Sequence, residues 1–202
     1  MPSSPQSSSV DLYWLPLGAG GHSVRLNGRI FEWFAAGIER RDRCDLYHSA
    51  LEVHAPAGRF VIEQAPAWGE PAERGVVAEG AVGLRALGRL RLFRYEIRCW
   101  PDGLIPDAAE AVASPQRLSE DADRATRVIE LVGEVPTPVW GRDELRAGEM
   151  WNSNSLISWL ITRSSLDIDS VHLPSRGRAP GWDAGILVAH RQQAARSTAE
   201  PR

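Results

Sequence analysis

Between positions 47 and 54 the chain alternates, with Tyr47, Ser49, Leu51 and Val53 on one face and His48, Ala50, Glu52 and His54 on the other. That period of two predicts a half-buried strand. Pro56 and Gly58 mark a turn and 59–64 supplies a second short strand, so the pair forms a hairpin. Another strand is expected over 90–100, where bulky residues are dense, and a short extended segment over 11–17. The stretch 66–88 is rich in Gly and Pro and is expected to be mostly loop, long enough to act as a lid.

Helical spacing appears elsewhere. Ile30, Phe31, Trp33, Phe34 and Ile38 fit an amphipathic helix over 30–38. A second helix is predicted over 119–132, with Ser119 as cap, acidic residues in its first turn and Gly133 after its end. Pro136 and Pro138 then break the chain. From Trp151 the sequence reads Asn152-Ser153-Asn154-Ser155 and then turns apolar, with Leu156, Ile157, Trp159, Leu160 and Ile161 covering most of a helix circumference. Asn and Ser suit a helix start, and a helix apolar all round is a buried one. The stretch 176–185 is expected to be a loop and 186–190 a closing strand. The expected organisation is a disordered tail over 1–10, one α+β domain over 11–190 and a disordered tail over 191–202.

The 202 residues suit one domain, and 43% hydrophobic with 24% charged is enough to bury a core. All 23 basic side chains are Arg, which excludes a Schiff-base lysine, a phosphate-loop lysine and a Ser–Lys dyad. A net charge of −3 recommends no nucleic acid as partner. Cys44 and Cys99 form no CxxC; buried free thiols are preferred over a single bridge. No apolar run spans a bilayer and the first ten residues lack the regions of a signal peptide, so no integral membrane segment and a cytoplasmic location are expected.

Little metal or nucleotide chemistry is encoded. His48 and His54 lie about 20 Å apart along an extended strand, too far to share one ion, and no HExxH, EF-hand or zinc-ribbon spacing occurs. Gly18-Ala19-Gly20-Gly21-His22 fails the GxGxxG spacing and is expected to be a flexible turn. Neither a metal nor a cofactor is expected. The run Arg85, Arg89, Arg91, Arg94, Arg98 is the best place for an anionic partner, although Glu73, Glu79 and Glu96 dilute it into an ordinary solvated face.

The order of motifs carries the functional reading. A His opens a strand, a hairpin partner follows, and much later a polar cluster opens a buried helix. This order resembles the circularly permuted papain-like fold: the permuted NlpC-type, LRAT-like and PPPDE groups. Tyr47-His48-Ser49-Ala50-Leu51-Glu52-Val53 is similar to the family's His strand, and Asn152-Ser153-Asn154-Ser155 to its Asn-Cys-Asn helix start. A poorly characterised bacterial branch with Asn-Ser-Asn at this point is more similar still. The resemblance implies an antiparallel sheet packed on a central buried helix, with Ser153 in the place of the nucleophilic Cys and His48 as general base. A Ser hydroxyl does not ionise as a thiol does, so a neutral His would have to take its proton during attack.

A third residue follows from register. Closing the hairpin with His54 opposite Arg59 puts Ala50 opposite Glu63, with His48 diagonal to Glu63 on the same face about 7–8 Å away. Glu63 is therefore the candidate orienter, and a one-residue slip would substitute Gln64. The family's third polar residue also sits on this strand. Asn152 and Asn154 are candidate oxyanion donors and Ser155 the runner-up nucleophile, yet helix capping is the preferred reading for Ser153, and capping or turn formation for Asn152 and Asn154. Trp151 and Trp159, two of eight tryptophans, suit an apolar cleft or the core. Gly181-Trp182-Asp183-Ala184-Gly185 is an unassigned loop in which Asp183 is an alternative acid. Two functions compete: a hydrolase or acyltransferase acting on an amide, thioester or ester, and a catalytically inactive binding or regulatory module holding a small peptide or an acyl or lipid-type ligand.

Overall fold

The alternating segment at 47–54 lies inside a seven-stranded sheet. The structure, a computed structural model, describes residues 7–17, 45–67, 75–105, 108–175 and 177–199. Its strands are β1 (Ser9–Pro16), β2 (Asp45–Ala55), β3 (Gly58–Pro66), β4 (Val76–Ala81), β5 (Arg94–Pro101), β6 (Gln116–Ser119) and the short β7 (Gly177–Arg178). They run in the order β4-β5-β3-β2-β1-β6, all antiparallel, with β7 added to β2 in parallel. The described helices are α1 (Ala122–Leu131), α2 (Ser153–Arg163) and α3 (Trp182–Ala199). The class is α+β, as expected, with the antiparallel sheet packed on a buried helix.

The hairpin closes with His54 opposite Arg59, in the expected register. Its ladder runs from Ala55↔Gly58 only to Leu51↔Ile62, and β7 then pairs with Asp45 and Leu46. Because β1 pairs with β2 from Pro16↔Tyr47 to Ser9↔His54, β7 occupies the β3 side. The β2 edge at Tyr47–Ala50 therefore lies between two ladders, and α2 begins beside that gap.

Every residue of α2 is buried. Its apolar positions join Leu12, Trp14, Leu51, Val53, Ile62 and Ile97 of the sheet in the main core. Helix α3 crosses α2 closely. A Cβ at Gly185 would stand 2.1 Å from Ser158 Oγ and 2.2 Å from the Ser155 carbonyl oxygen, so only Gly permits this approach. Gly185, Val188 and Ala189 are buried along the same helix, at the i, i+3, i+4 recurrence of a packed face. The second, smaller core of Leu15, Ala50, Val61 and Ile105 lies on the opposite face of the sheet.

Several expectations need correction. The closing strand over 186–190 and the tail from Gln192 are both helix, since α3 runs to Ala199; Gly181 and Gly185 serve a turn and a helix contact rather than a loop. The 66–88 loop contains β4 and a 3-10 turn at Arg85–Arg89. Residues 91–93 form another such turn, so the strand expected from 90 begins at Arg94. Asp121, not Ser119, caps α1: its carboxylate accepts from the Arg124 N–H at 2.8 Å, while Ser119 is held in β6. Ser9 and Val10, expected in a tail, belong to β1. The helix expected over 30–38, the glycine turn at 18–22 and Cys44 lie outside the described residues.

Candidate functional site

The polar cluster at the start of α2 is a hydrogen-bonded staple. Asn152 is the cap: its side-chain oxygen accepts from the N–H groups of Asn154 at 2.8 Å and Ser155 at 3.3 Å. The Ser155 hydroxyl accepts from the Asn152 N–H at 3.1 Å, which completes a capping box. That hydroxyl also donates to Gly181 O at 2.7 Å. Asn152 Nδ2 donates to Pro180 O at 2.7 Å. Asn154 reaches furthest: its Nδ2 donates to Tyr47 O and Pro180 O, each at 3.0 Å, and its Oδ1 accepts from the Ser49 hydroxyl at 2.9 Å. It thereby fills the gap in the β2 edge and ties β2, α2 and the approach to α3 together. Ser153, nearly buried, is the member of the quartet whose hydroxyl makes no hydrogen bond among the described residues.

The contact from Ser49 fixes which face of β2 meets the helix. Side chains alternate along a strand, so Tyr47, Ser49, Leu51 and Val53 face α2 and His48 leaves from the other side. Burial agrees: those four are buried and His48 is half-buried. Leu15, opposite His48 in register, belongs to the second core on that far face. Glu63 stands on the far face as well, opposite Arg98 of β5, and pairs with it at 2.7 Å. Arg98 also pairs with Glu96 at 2.9 Å. Farther along this face Glu52 binds Arg59 at 2.7 Å and His54 at 2.9 Å. Burial pushes the Glu52 carboxyl up, but these two partners outweigh it and hold the group below its ordinary value. The structure thus brings Ser49, Asn152, Asn154 and Ser155 together, and hydrogen-bonds neither His48 nor Glu63 to Ser153.

Gln64, the residue favoured by a one-place slip, is on the helix face beside Ile62 and is buried; neither atom of its amide has a partner among the described residues. Trp151 and Trp159, the candidate cleft residues, are core residues among the described residues. Both are about 1% exposed and sit in the main core, with Trp159 Nε1 donating to Gln192 Oε1 at 2.9 Å. Asp183 is exposed in the first turn of α3. Cys99 is a free thiol that burial pushes up to about 11, which makes it a poor nucleophile. Among the described residues no group of three or more His, Cys, Asp or Glu has a metal-binding arrangement, and no helix is long and apolar enough to cross a membrane.

The arginine run divides. Arg98 is committed to Glu63 and Glu96, and Arg91 donates to Ala67 O at 3.3 Å. Arg85, Arg89 and Arg94 line a cleft of about 400 Å³ at the β4 edge.

Comparison with family models, with curated proteins and with solved structures finds no match. The chemistry of the site is therefore argued from its own residues. Sequence reasoning found the Asn-Ser-Asn-Ser cluster but overlooked Ser49. The signal was present: Ser49 alternates with Tyr47, Leu51 and Val53, the face any buried helix has to cover.

Proposed function

We propose that the protein is a catalytically inactive binding or regulatory module rather than a hydrolase. The observation that carries this reading is the 2.9 Å hydrogen bond from Ser49 to Asn154. It sets a hydroxyl, and not the imidazole of His48, against the start of α2. A Ser nucleophile needs a base within hydrogen-bond reach, directly or through one water. The candidate oxyanion donors are also engaged: Asn154 Nδ2 serves two carbonyls and Asn152 Nδ2 one. Ser155 is fully buried, with its hydroxyl used on both sides. The papain-like relationship, with its Cys replaced by Ser153, is part of this proposal: the helix start is retained as a structural joint after loss of the thiol.

One observation favours the hydrolase reading, which is that the Ser153 hydroxyl is unengaged among the described residues while the side chains of Asn152, Asn154 and Ser155 are all hydrogen-bonded. The test is direct. The full chain is incubated with a fluorophosphonate and its intact mass is read, with Ser153→Ala as control. No adduct is expected. A stoichiometric adduct that vanishes in both Ser153→Ala and His48→Ala would overturn the proposal.

A further inference from the structure

Away from α2, the cleft at the β4 edge is walled by β4, the 3-10 turn at Arg85–Arg89, Arg94, Thr137 and Val139. Its volume of about 400 Å³ suits a small ligand. Three guanidiniums and one carboxylate, Glu79, face it. Arg94 is fixed by its Nε bond to Gly88 O at 2.5 Å and its Nη1 contact with Glu79 at 3.0 Å, which leaves Nη2 uncommitted. Arg85 is held through Nη2 by Glu144 at 2.7 Å. Glu144 in turn accepts the Val139 N–H at 2.9 Å and lies in the field of Arg142, whose Nε donates to Gly83 O at 2.8 Å. Arg89 is exposed and makes no hydrogen bond or ion pair among the described residues.

The cleft and its rim thus carry four guanidiniums, Arg85, Arg89, Arg94 and Arg142, against two carboxylates, Glu79 and Glu144. The excess is two positive charges. A phosphate monoester brings roughly −1.5 to −2 at neutral pH, whereas a single carboxylate brings half of that. Guanidinium forks also match phosphate oxygens in geometry.

We propose that this cleft binds a phosphate group, with Arg89 as its principal ligand and the spare donors of Arg85 and Arg94 completing the contact. The proposal is independent of what happens at Ser153. Two sources supply that chemistry: a soluble phosphorylated molecule, or a lipid headgroup, for which the exposed Leu84, Leu90 and Leu92 of the same segment provide apolar contacts.

The full chain is titrated with inorganic phosphate and with pyrophosphate by calorimetry, and sedimented with phosphatidylcholine vesicles with and without phosphatidic acid. Saturable binding to at least one phosphate probe is expected, weakened about tenfold or more by Arg89→Ala, the effect of losing a charge-assisted contact. Glu79→Gln, which removes the competing carboxylate, is expected to tighten it. Binding that needs phosphatidic acid and ignores the soluble anions identifies a lipid source; the reverse identifies a soluble one. The proposal is overturned by no saturable binding to any phosphate probe, by equal binding to phosphatidylcholine alone, or by an affinity that Arg89→Ala leaves unchanged. Arg89 is exposed and makes no side-chain hydrogen bond or ion pair among the described residues, so its removal spares the fold.

Discussion

Replacing Asn154 tests the joint at the start of α2. Asn154→Ala deletes three hydrogen bonds in a buried place. Pro180 O keeps a donor from Asn152, so that loss costs about 1 kcal/mol. Tyr47 O and the Ser49 hydroxyl are left without their partner, at about 1–2 kcal/mol each. The sum, about 3–5 kcal/mol, is a large part of the roughly 5–15 kcal/mol that holds a domain together. Urea unfolding followed by tryptophan fluorescence should show it as a midpoint lowered by between about 1 and 5 M, given a slope of about 1–3 kcal/mol per molar. Asn154→Asp sharpens the test. It keeps an acceptor for Ser49 but turns an oxygen toward two carbonyls, so the folded state raises the carboxyl's pKa. Below about pH 3.9 the acid is neutral in both states and the penalty is smallest. As pH rises, the unfolded chain ionises first, and stability falls until the folded group ionises too. A midpoint within about 0.3 M of the wild type for Asn154→Ala, or a pH-independent deficit for Asn154→Asp, would refute the reasoning.

Other expectations follow from packing. Gly185→Ala forces a methyl into the Ser155 backbone, and thermal unfolding should register a loss of about 2 kcal/mol or more as α2 and α3 separate; an unchanged melting temperature would mean the helices are not in this contact. Gln64→Met removes an amide with no partner among the described residues at near-constant volume and should leave stability unchanged or raise it by up to about 2 kcal/mol. A loss greater than about 1 kcal/mol in chemical denaturation would show that the amide is satisfied.

Legibility in the sequence followed how local each cause was. The β2–β3 hairpin was readable because its alternation and two-residue turn are set by neighbouring positions. Helix α2 was readable because its cap and all-round apolarity lie within eleven residues. Helix α3 was not: Gly181 and Gly185 have the form of breakers until α2 is placed against them. Strand β4 escaped because Val76 and Val77 are both exposed at the sheet edge, so no alternation marks it. At the site, residue chemistry singled out His48 while parity favoured Ser49. Only the distant helix reveals which side of the strand is inward.

The bonds of Asn154 to Ser49 and Tyr47 span 105 and 107 residues of chain. At synthesis rates of about 5–20 residues per second, β2 waits roughly 5–20 s on the ribosome before the helix that covers it has been made. Through that interval Leu12, Trp14, Tyr47, Leu51 and Ile62 can meet only the part of their core that precedes α2, from β5 and α1. Helix α2 itself cannot be shielded until α3 follows. The same long-range stitching that closes the finished sheet therefore leaves apolar surface uncovered on the nascent chain, and the closing step carries the loop-closure cost of more than a hundred residues.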